Sequence, residues 1–530
     1  MAKNTHNTDS RTYCSDIYGV KQIGVENWLQ THNTPITGKD YSEIHGVILE
    51  IYKGLFCDCS KGVELYWLGV ANFKIVNVIT DNVFNQLRFD CLKAQGMEHV
   101  ASNKIITIDE FNNWPVNNIQ MKFDIPEPMF TFRVKNVLKK ARSIAEEIKT
   151  AHKFGKNQKV FRVGSLSNEM RQYCQELELC PLNFDRFSFI KPFHTNYYEC
   201  TDIESRVHDF ISIIATTYSF LKKDRLEACS KETLNILQKS FHFIRTNSMA
   251  LEKGEKRNFL SIANGSPINR AVVAACRLAD REVIGFVHGN CFATMRPNEE
   301  RIYHDSISIV STTVASSKGE AELTSKVASS VSDNIKTSKI SYPNESMHKI
   351  TFDRLQQEAS VDKVKTIMIV GFPMTPYYYA SCKHLYSLSM LRLEINLIKA
   401  LKKARYKVIY KAHPDRLNEI SNVFNHYVDG VIVEPFESTY LIADCLLFPH
   451  FGTTTFGFAL MTKTPIVLID HVENNDVFDD PMQLIRKRCG IVNASTNEYD
   501  ETTFEESELL FAVQNSVTKM DYEVVEKYAL

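Results

Sequence analysis

Between Val364 and Ile469 the chain alternates short β-branched runs with amphipathic helical stretches, and this alternation constrains the fold more than any other feature. Val364-Lys-Thr-Ile-Met-Ile-Val370 reads as a strand, ended by Gly371-Phe-Pro373. Leu388 to Arg405 reads as a helix, with apolar residues at Leu391, Ile395, Ile398 and Leu401. Its basic end, from Lys399 to Arg405, suits a helix C-terminus. Tyr406-Lys-Val-Ile-Tyr410 is the next strand. A short helix over 416–427, a strand at Val431-Ile-Val433 and a helical turn over 437–442 follow. Cys445-Leu-Leu-Phe448 is a further strand, 454–461 a helix, and Pro465-Ile-Val-Leu-Ile469 a strand again. Strands joined by helical crossovers through short links imply a parallel sheet covered on both faces.

At 530 residues the chain is too long for one ordinary domain. The middle third repeats the alternation. Lys159–Val163 and Glu282–Val287 read as strands, as does Ser306-Ile-Ser-Ile-Val310, with helices from Asn168 and over 269–278. Ser316 to Asn344, rich in Ser, Lys and Thr, reads as a linker in which 320–331 is a candidate helix. The chain then divides into an accessory α/β region (1–125), a first α/β domain with its linker (126–345), a second α/β domain (346–495) and a helical segment (496–530). In the accessory region Gly46–Ile51 and Phe73–Ile79 are strand candidates.

A net charge of −1 argues against a generally basic nucleic-acid binder. The thirteen cysteines are scattered, and the one close pair, Cys57-Asp-Cys59, does not match zinc spacing, so reduced thiols in a cytosolic protein are expected and no metal site. Met1 to Ser10 has no apolar h-region, and no window approaches the ~20 apolar residues of a membrane helix. A soluble protein is expected, and a peripheral membrane contact is compatible with that.

Two loops carry the candidate chemistry. Lys411-Ala-His413-Pro414 follows the strand ending at Tyr410, and His450-Phe-Gly452-Thr453-Thr454-Thr455 follows the strand ending at Phe448. Ligands of open parallel sheets bind outside the carboxyl ends of the strands. A cationic loop beside hydroxyls and a glycine amide suits a ligand phosphate. A partly protonated His413 would donate to a departing oxyanion; the bland alternative is a solvent-exposed His-Pro turn. Thr453 to Thr455 serve either a ligand or a helix N-cap. Glu437 is a ligand contact or a first-turn acid favoured by the dipole. His288, ahead of Gly289, ends a strand of the first domain and either acts in the site or caps the strand. Asp305 is a candidate carboxylate or a solvated loop acid. Gly371 allows close approach of a phosphate or merely makes a turn.

These motifs resemble a family. Lys411-Ala-His413-Pro414 is similar to the His-Pro motif of bacterial sialyltransferases and capsule-forming Kdo transferases. In that group a Phe-Glu step and then a Ser/Thr pair follow, and Pro435-Phe436-Glu437 and Thr453-Thr454-Thr455 stand here in the same order. The strand ahead of His288-Gly289 resembles the strand-Gln-His-Gly element of capsule-polysaccharide transferases. The likeness covers roughly 260–490. The acidic Asp-Asp-Gly-like motif of sialyltransferases lies upstream of His-Pro, whereas Val428-Asp429-Gly430 lies downstream, so the catalytic carboxylate is left unassigned.

The resemblance implies a GT-B-like α/β architecture: two Rossmann-like domains facing a cleft, with the closing segment, 504–528, packing back across the first domain. It implies a metal-independent transferase that moves a Kdo- or sialic-acid-like sugar from a CMP-activated donor substrate to a bacterial surface glycan or glycolipid, with no separate cofactor. His413 and Lys411, beside Pro414, would hold the CMP phosphate. Glu437 would accept hydrogen bonds from the ribose, and Gly452 to Thr455 would hold phosphate or the sugar carboxylate. Such an enzyme is expected in the cytoplasm, at the inner face of the membrane. Polymerases that use CDP-glycerol carry a similar His-Pro and hydroxyl pair. A UDP-sugar epimerase and a catalytically silent glycan-binding protein are the remaining alternatives.

Overall fold

The computed structural model describes residues 12–14, 17–31, 36–58, 60, 62–94, 98–101, 104–105, 158–163, 168–183, 201–253, 257–262, 267–286, 294, 307–331, 338–343, 346, 348–372, 387–420, 422–471, 477–497 and 501–530. Three sheets organise them. A small one joins β1 (Thr12–Cys14), β2 (Glu98–Ala101) and β3 (Lys104–Ile105) in the order β1-β2-β3. The second holds β4 (Gln158–Val163), β5 (Leu179–Asn183), β6 (Phe259–Ile262), β7 (Val283–Phe286), β8 (Thr312–Val314) and β9 (Lys339–Ser341). Its order is β5-β4-β6-β7-β8-β9, and every pairing is parallel.

The third sheet holds β10 (Thr366–Val370), β11 (Lys407–Lys411), β12 (Gly430–Ile432), β13 (Cys445–Phe448), β14 (Ile466–His471), β15 (Gly490–Thr496) and β16 (Thr502–Phe504). It runs β12-β11-β10-β13-β14-β15-β16, and only β16 is antiparallel. Numbered from β10, this is the 3-2-1-4-5-6 order of a Rossmann-type sheet, with the switch point between β10 and β13. Cys445, Leu446, Leu447 and Phe448 are all 0% exposed. Such an unbroken apolar run is what burial of a parallel strand on both faces requires. The molecule therefore has two Rossmann-like α/β domains and a third region at the amino end.

Several local expectations are corrected. Gly46–Ile51 and Phe73–Ile79 are not strands: the first lies in the helix Gly38–Phe56, and the second is a turn residue, Phe73, followed by the start of the helix Lys74–Ala94. The β-branched residues favour a strand locally, but Tyr41, Ile44, Ile48, Tyr52 and Phe56 are buried together at helical spacing, so tertiary packing decides. Ser306–Val310 is not a strand either. Among its described residues Ile307, Ser308 and Ile309 form a buried turn, and the strand begins at Thr312, among the β-branched residues that follow. Within the stretch over 316–344 the expected helix is present as Lys318–Val331, but the rest is not all linker, since it carries the edge strand β9. Val327 is 0% and Ala328 5% exposed, so a Ser- and Lys-rich composition masks a buried stripe. The helix over 416–427 shrinks to Leu417–Ile420, because Asn422 adopts a φ of 68° that a helix cannot carry. The turn over 437–442 is two 3-10 turns, Phe436–Ser438 and Tyr440–Ile442.

The amino-terminal region is mostly helical and packs on the first domain. Arg270, fully buried, donates to the carbonyls of Val70 and Ala71, closing the C-terminus of the helix Val63–Ala71. Asn72 Nδ2 donates to Ser240 Oγ at 2.8 Å. At the other end of the chain the helix Glu523–Tyr528 runs back onto the helix Lys318–Val331 of the first domain. Ser346 Oγ donates to the Ala529 carbonyl there. Among the described residues no helix is long and apolar enough to cross a membrane.

Candidate functional site at the switch point of the second domain

Parallel register places the carboxyl ends of β11, β10 and β13 side by side. Val370 pairs with Lys411, and Ile369 pairs with Leu447. Neighbouring strands lie ~4.8 Å apart, so the loops after β11 and β13 are separated by one strand, on the same edge of the sheet. Contacts close that gap. Arg416 Nη1 donates to the Phe372 carbonyl at 3.2 Å, and the Phe372 ring meets His450 edge-on at 5.0 Å between centroids. The three loops thus join through Arg416, Phe372 and His450.

Arg416 is 1% and Glu394 0% exposed, so this is a buried ion pair. Nη1 lies 3.2 and 3.3 Å from the two Glu394 oxygens and 2.8 Å from Tyr410 Oη, which donates to Glu394 Oε1 at 3.0 Å. Burial pushes the Glu394 carboxyl up, against the pull of Arg416 and Tyr410. The network also holds the histidine turn: Arg416 N donates to the His413 carbonyl at 3.0 Å, inside the 3-10 turn Pro414–Arg416. His413 is half-buried and Pro414 exposed beside it.

Lys411 is 5% exposed and its Nζ donates to the Ala412 carbonyl at 2.6 Å. Burial lowers its pKa, while the Glu437 and Glu434 carboxylates favour its charge. The charge of the cationic loop is therefore partly offset by two nearby acids. Glu437 is exposed, at the start of the turn Phe436–Ser438. Gly371 continues the ladder, its N–H donating to Lys411 O at 2.9 Å. A Cβ there would lie 2.3 Å from Tyr410 Oη, so packing already demands the glycine without any ligand.

Thr453 caps the helix Thr454–Leu460, its Oγ accepting from Phe456 N at 3.1 Å. Thr454 is exposed and Thr455 half-exposed at the start of that helix, where the first amides lack intrahelical acceptors. The half-exposed Gly452 donates its N–H to His450 Nδ1 at 2.8 Å. His450 must be neutral at Nδ1 to accept, and burial drives its pKa well below the ordinary value. His471 Nε2 meets the Pro449 carbonyl at 3.2 Å and is buried too, which lowers its pKa to about 4. From the far end Arg488, fully buried, donates to the carbonyls of Leu460, Thr462 and Thr464, anchoring the helix behind the threonines.

These imidazoles make the loop acid-sensitive. Unfolded histidine binds a proton below about pH 6.5, whereas folded His471 takes none until about pH 4. Stability attributed to it is complete above 6.5 and is lost as pH falls towards 4. Between pH 7.5 and 5 wild type should lose about 2 kcal/mol more than His471→Gln, whose amide keeps a donor near the Pro449 carbonyl. Urea melts at the two pH values check this, and parallel losses would refute it.

His288 and Asp305 lie outside the described residues. Sequence reasoning missed Glu394, Arg416 and Phe372 and undervalued His450. Glu394 left a signal, as a lone acid on the apolar face between Leu391 and Ile398. Among the described residues no group of His, Cys, Asp and Glu is arranged to hold a metal ion.

No protein-family model matches the chain, and no curated protein matches it in sequence. Among solved structures it is similar to UDP-N-acetylglucosamine 2-epimerase from Rickettsia bellii, at 12% identity and a TM-score of 0.37, over 70% of this chain and 92% of that one. It is also similar to Os79 from O. sativa, solved with UDP and deoxynivalenol-3-glucoside, at 11% identity and a TM-score of 0.35, over 69% and 92%. Likeness at this level assigns neither family nor activity. The two Rossmann-like domains rest on the strand order of the chain itself.

Proposed function

We propose that this chain is a GT-B-like glycosyltransferase moving a sugar, of the Kdo or sialic acid kind, from a CMP-activated donor to a surface glycan or glycolipid acceptor. One observation carries most of the support. The loops bearing Lys411 and His413, Gly371, and Gly452 to Thr455 share the carboxyl edge beside the switch point, bound together through Arg416, Phe372 and His450.

In this mechanism the donor phosphate lies over the end of β10, between the histidine turn and the threonine turn. His413 donates to the leaving oxyanion as the glycosidic C–O bond breaks. Because Lys411 already faces Glu434 and Glu437, His413 carries more of this task than the lysine. Glu437, which is exposed, would accept from the ribose hydroxyls. Thr454 and Thr455 offer hydroxyls to the phosphate or the sugar carboxylate. The acceptor proton goes to a carboxylate of the first domain, for which Asp305 is the candidate, with His288 orienting the reactants. The enzyme would work from the cytoplasm against the inner face of the membrane.

The test is calorimetry and thermal stabilisation with CMP, CDP and UDP, since a ligand of the folded state raises its melting temperature by mass action. CMP should bind. His413→Ala should weaken CMP binding about 10-fold and lower donor hydrolysis by roughly 10²–10⁴. Binding of UDP with none of CMP would reject the donor assignment, and undiminished turnover by His413→Ala would reject the mechanism.

A further inference from the structure

Residues 17–31 hold a position that the proposed chemistry leaves unexplained. They belong to the amino-terminal region, whose other helices pack on the first domain. Arg206 Nη1 donates to Leu55 O there, as Arg270 does to Val70 and Ala71. Yet the helices Ile17–Ile23 and Val25–Thr31 rest on the second domain. Trp28 is 0% exposed, with the Arg392 guanidinium 5.2 Å from its ring centroid. Arg392 is itself oriented by Glu501, at 2.7 Å. Glu26 Oε1 accepts from Tyr427 Oη at 2.7 Å and lies 3.0 Å from Lys399 Nζ. Ile17–Ile23 packs both on β2 and on the short helix Leu417–Ile420. That short helix continues directly from the 3-10 turn whose Arg416 N–H holds the His413 carbonyl.

We infer that residues 17–31 are a clamp through which the amino-terminal region, seated on the first domain, positions the His413 turn of the second. Magnitudes rank its parts. Glu26 and Lys399 are exposed, and exposed ion pairs contribute little. Trp28, buried and desolvated under a guanidinium, is the anchor. The Glu26–Tyr427 bond sets where the clamp sits on the segment after Leu417–Ile420. A bridge of this kind makes the turn's order depend on a segment nearly 400 residues away in sequence, beyond the polypeptide link between the domains. It does not depend on the identity of the donor.

Amide hydrogen exchange on the full chain tests the clamp. Trp28→Ala should raise exchange over 411–427 about 10-fold, with 445–448, 466–471 and the first-domain helix Pro267–Leu278 staying protected. Trp28→Phe, which keeps a ring beneath Arg392, should restore most of the protection. Unchanged exchange over 411–427 would overturn the inference. So would a rise spread evenly over both domains, which would make Trp28 an ordinary core residue. If Trp28→Ala does not fold, the surface variant Tyr427→Phe decides: a local rise of about 2-fold over 417–427 supports the clamp, and no rise removes it.

Discussion

Arg416→Ala should unfold the second domain under conditions in which the first retains its structure. The guanidinium is 1% exposed and shares its Nη1 among Glu394, Tyr410 and the Phe372 carbonyl. Removing it leaves a fully buried carboxylate with one hydroxyl as its described donor, and breaking a buried pair in this way costs ~3–5 kcal/mol. That is a large fraction of the ~5–15 kcal/mol that stabilises a domain. Glu394→Gln leaves a neutral amide that still accepts from Arg416 and Tyr410, although the buried guanidinium then lacks its counter-charge. Replacing the pair together, Arg416→Met with Glu394→Leu, should recover much of the loss, because two apolar groups leave no charge stranded. Melting curves of the three proteins check the order. A single alanine variant that melts with wild type would show that the pair stabilises nothing.

Gly319→Ala should detach the carboxyl-terminal helix. A Cβ at this position would lie 1.9 Å from the Lys527 carbonyl oxygen and 3.2 Å from Tyr528 Cδ1. The first of these is backbone and has no rotamer to escape into, so the helix Glu523–Tyr528 must move. Val524, Val525 and Ala529, all 0% exposed, then lose cover. Burial of a Val side chain is worth about 1.5–3 kcal/mol, so a loss of roughly 2–4 kcal/mol is expected. Rapid trimming by carboxypeptidase should accompany it. Gly430→Ala is the control, since a Cβ there meets nothing within 4 Å. Equal stability and equal resistance to trimming in the two variants would defeat the prediction.

The parts of the fold legible in the sequence were those in which one local signal sufficed. Ile367, Met368 and Ile369 in β10 and the Cys445–Phe448 run are apolar without a break because helices cover both faces, and they read as strands at sight. The amino-terminal helices escape a local reading because Val and Ile favour strands, while the 3.6 period of Tyr41, Ile44, Ile48 and Tyr52 shows only over about three turns. The candidate site was legible in part. The motifs at His413 and Thr453 stood out by composition, but their link did not, because Arg416, Glu394 and Phe372 meet only in three dimensions. Thr453 also shows that a hydroxyl singled out for a ligand can be taken by a helix cap.

The closing helix has a consequence for biosynthesis. The face of Lys318–Val331 that receives it stays bare while roughly two hundred further residues are made. Domains ordinarily fold as they leave the ribosome, front first. For this chain the first domain reaches its finished surface only when the helix Glu523–Tyr528 emerges, so a nascent chain stalled before it would expose a sticky flank for chaperones to cover.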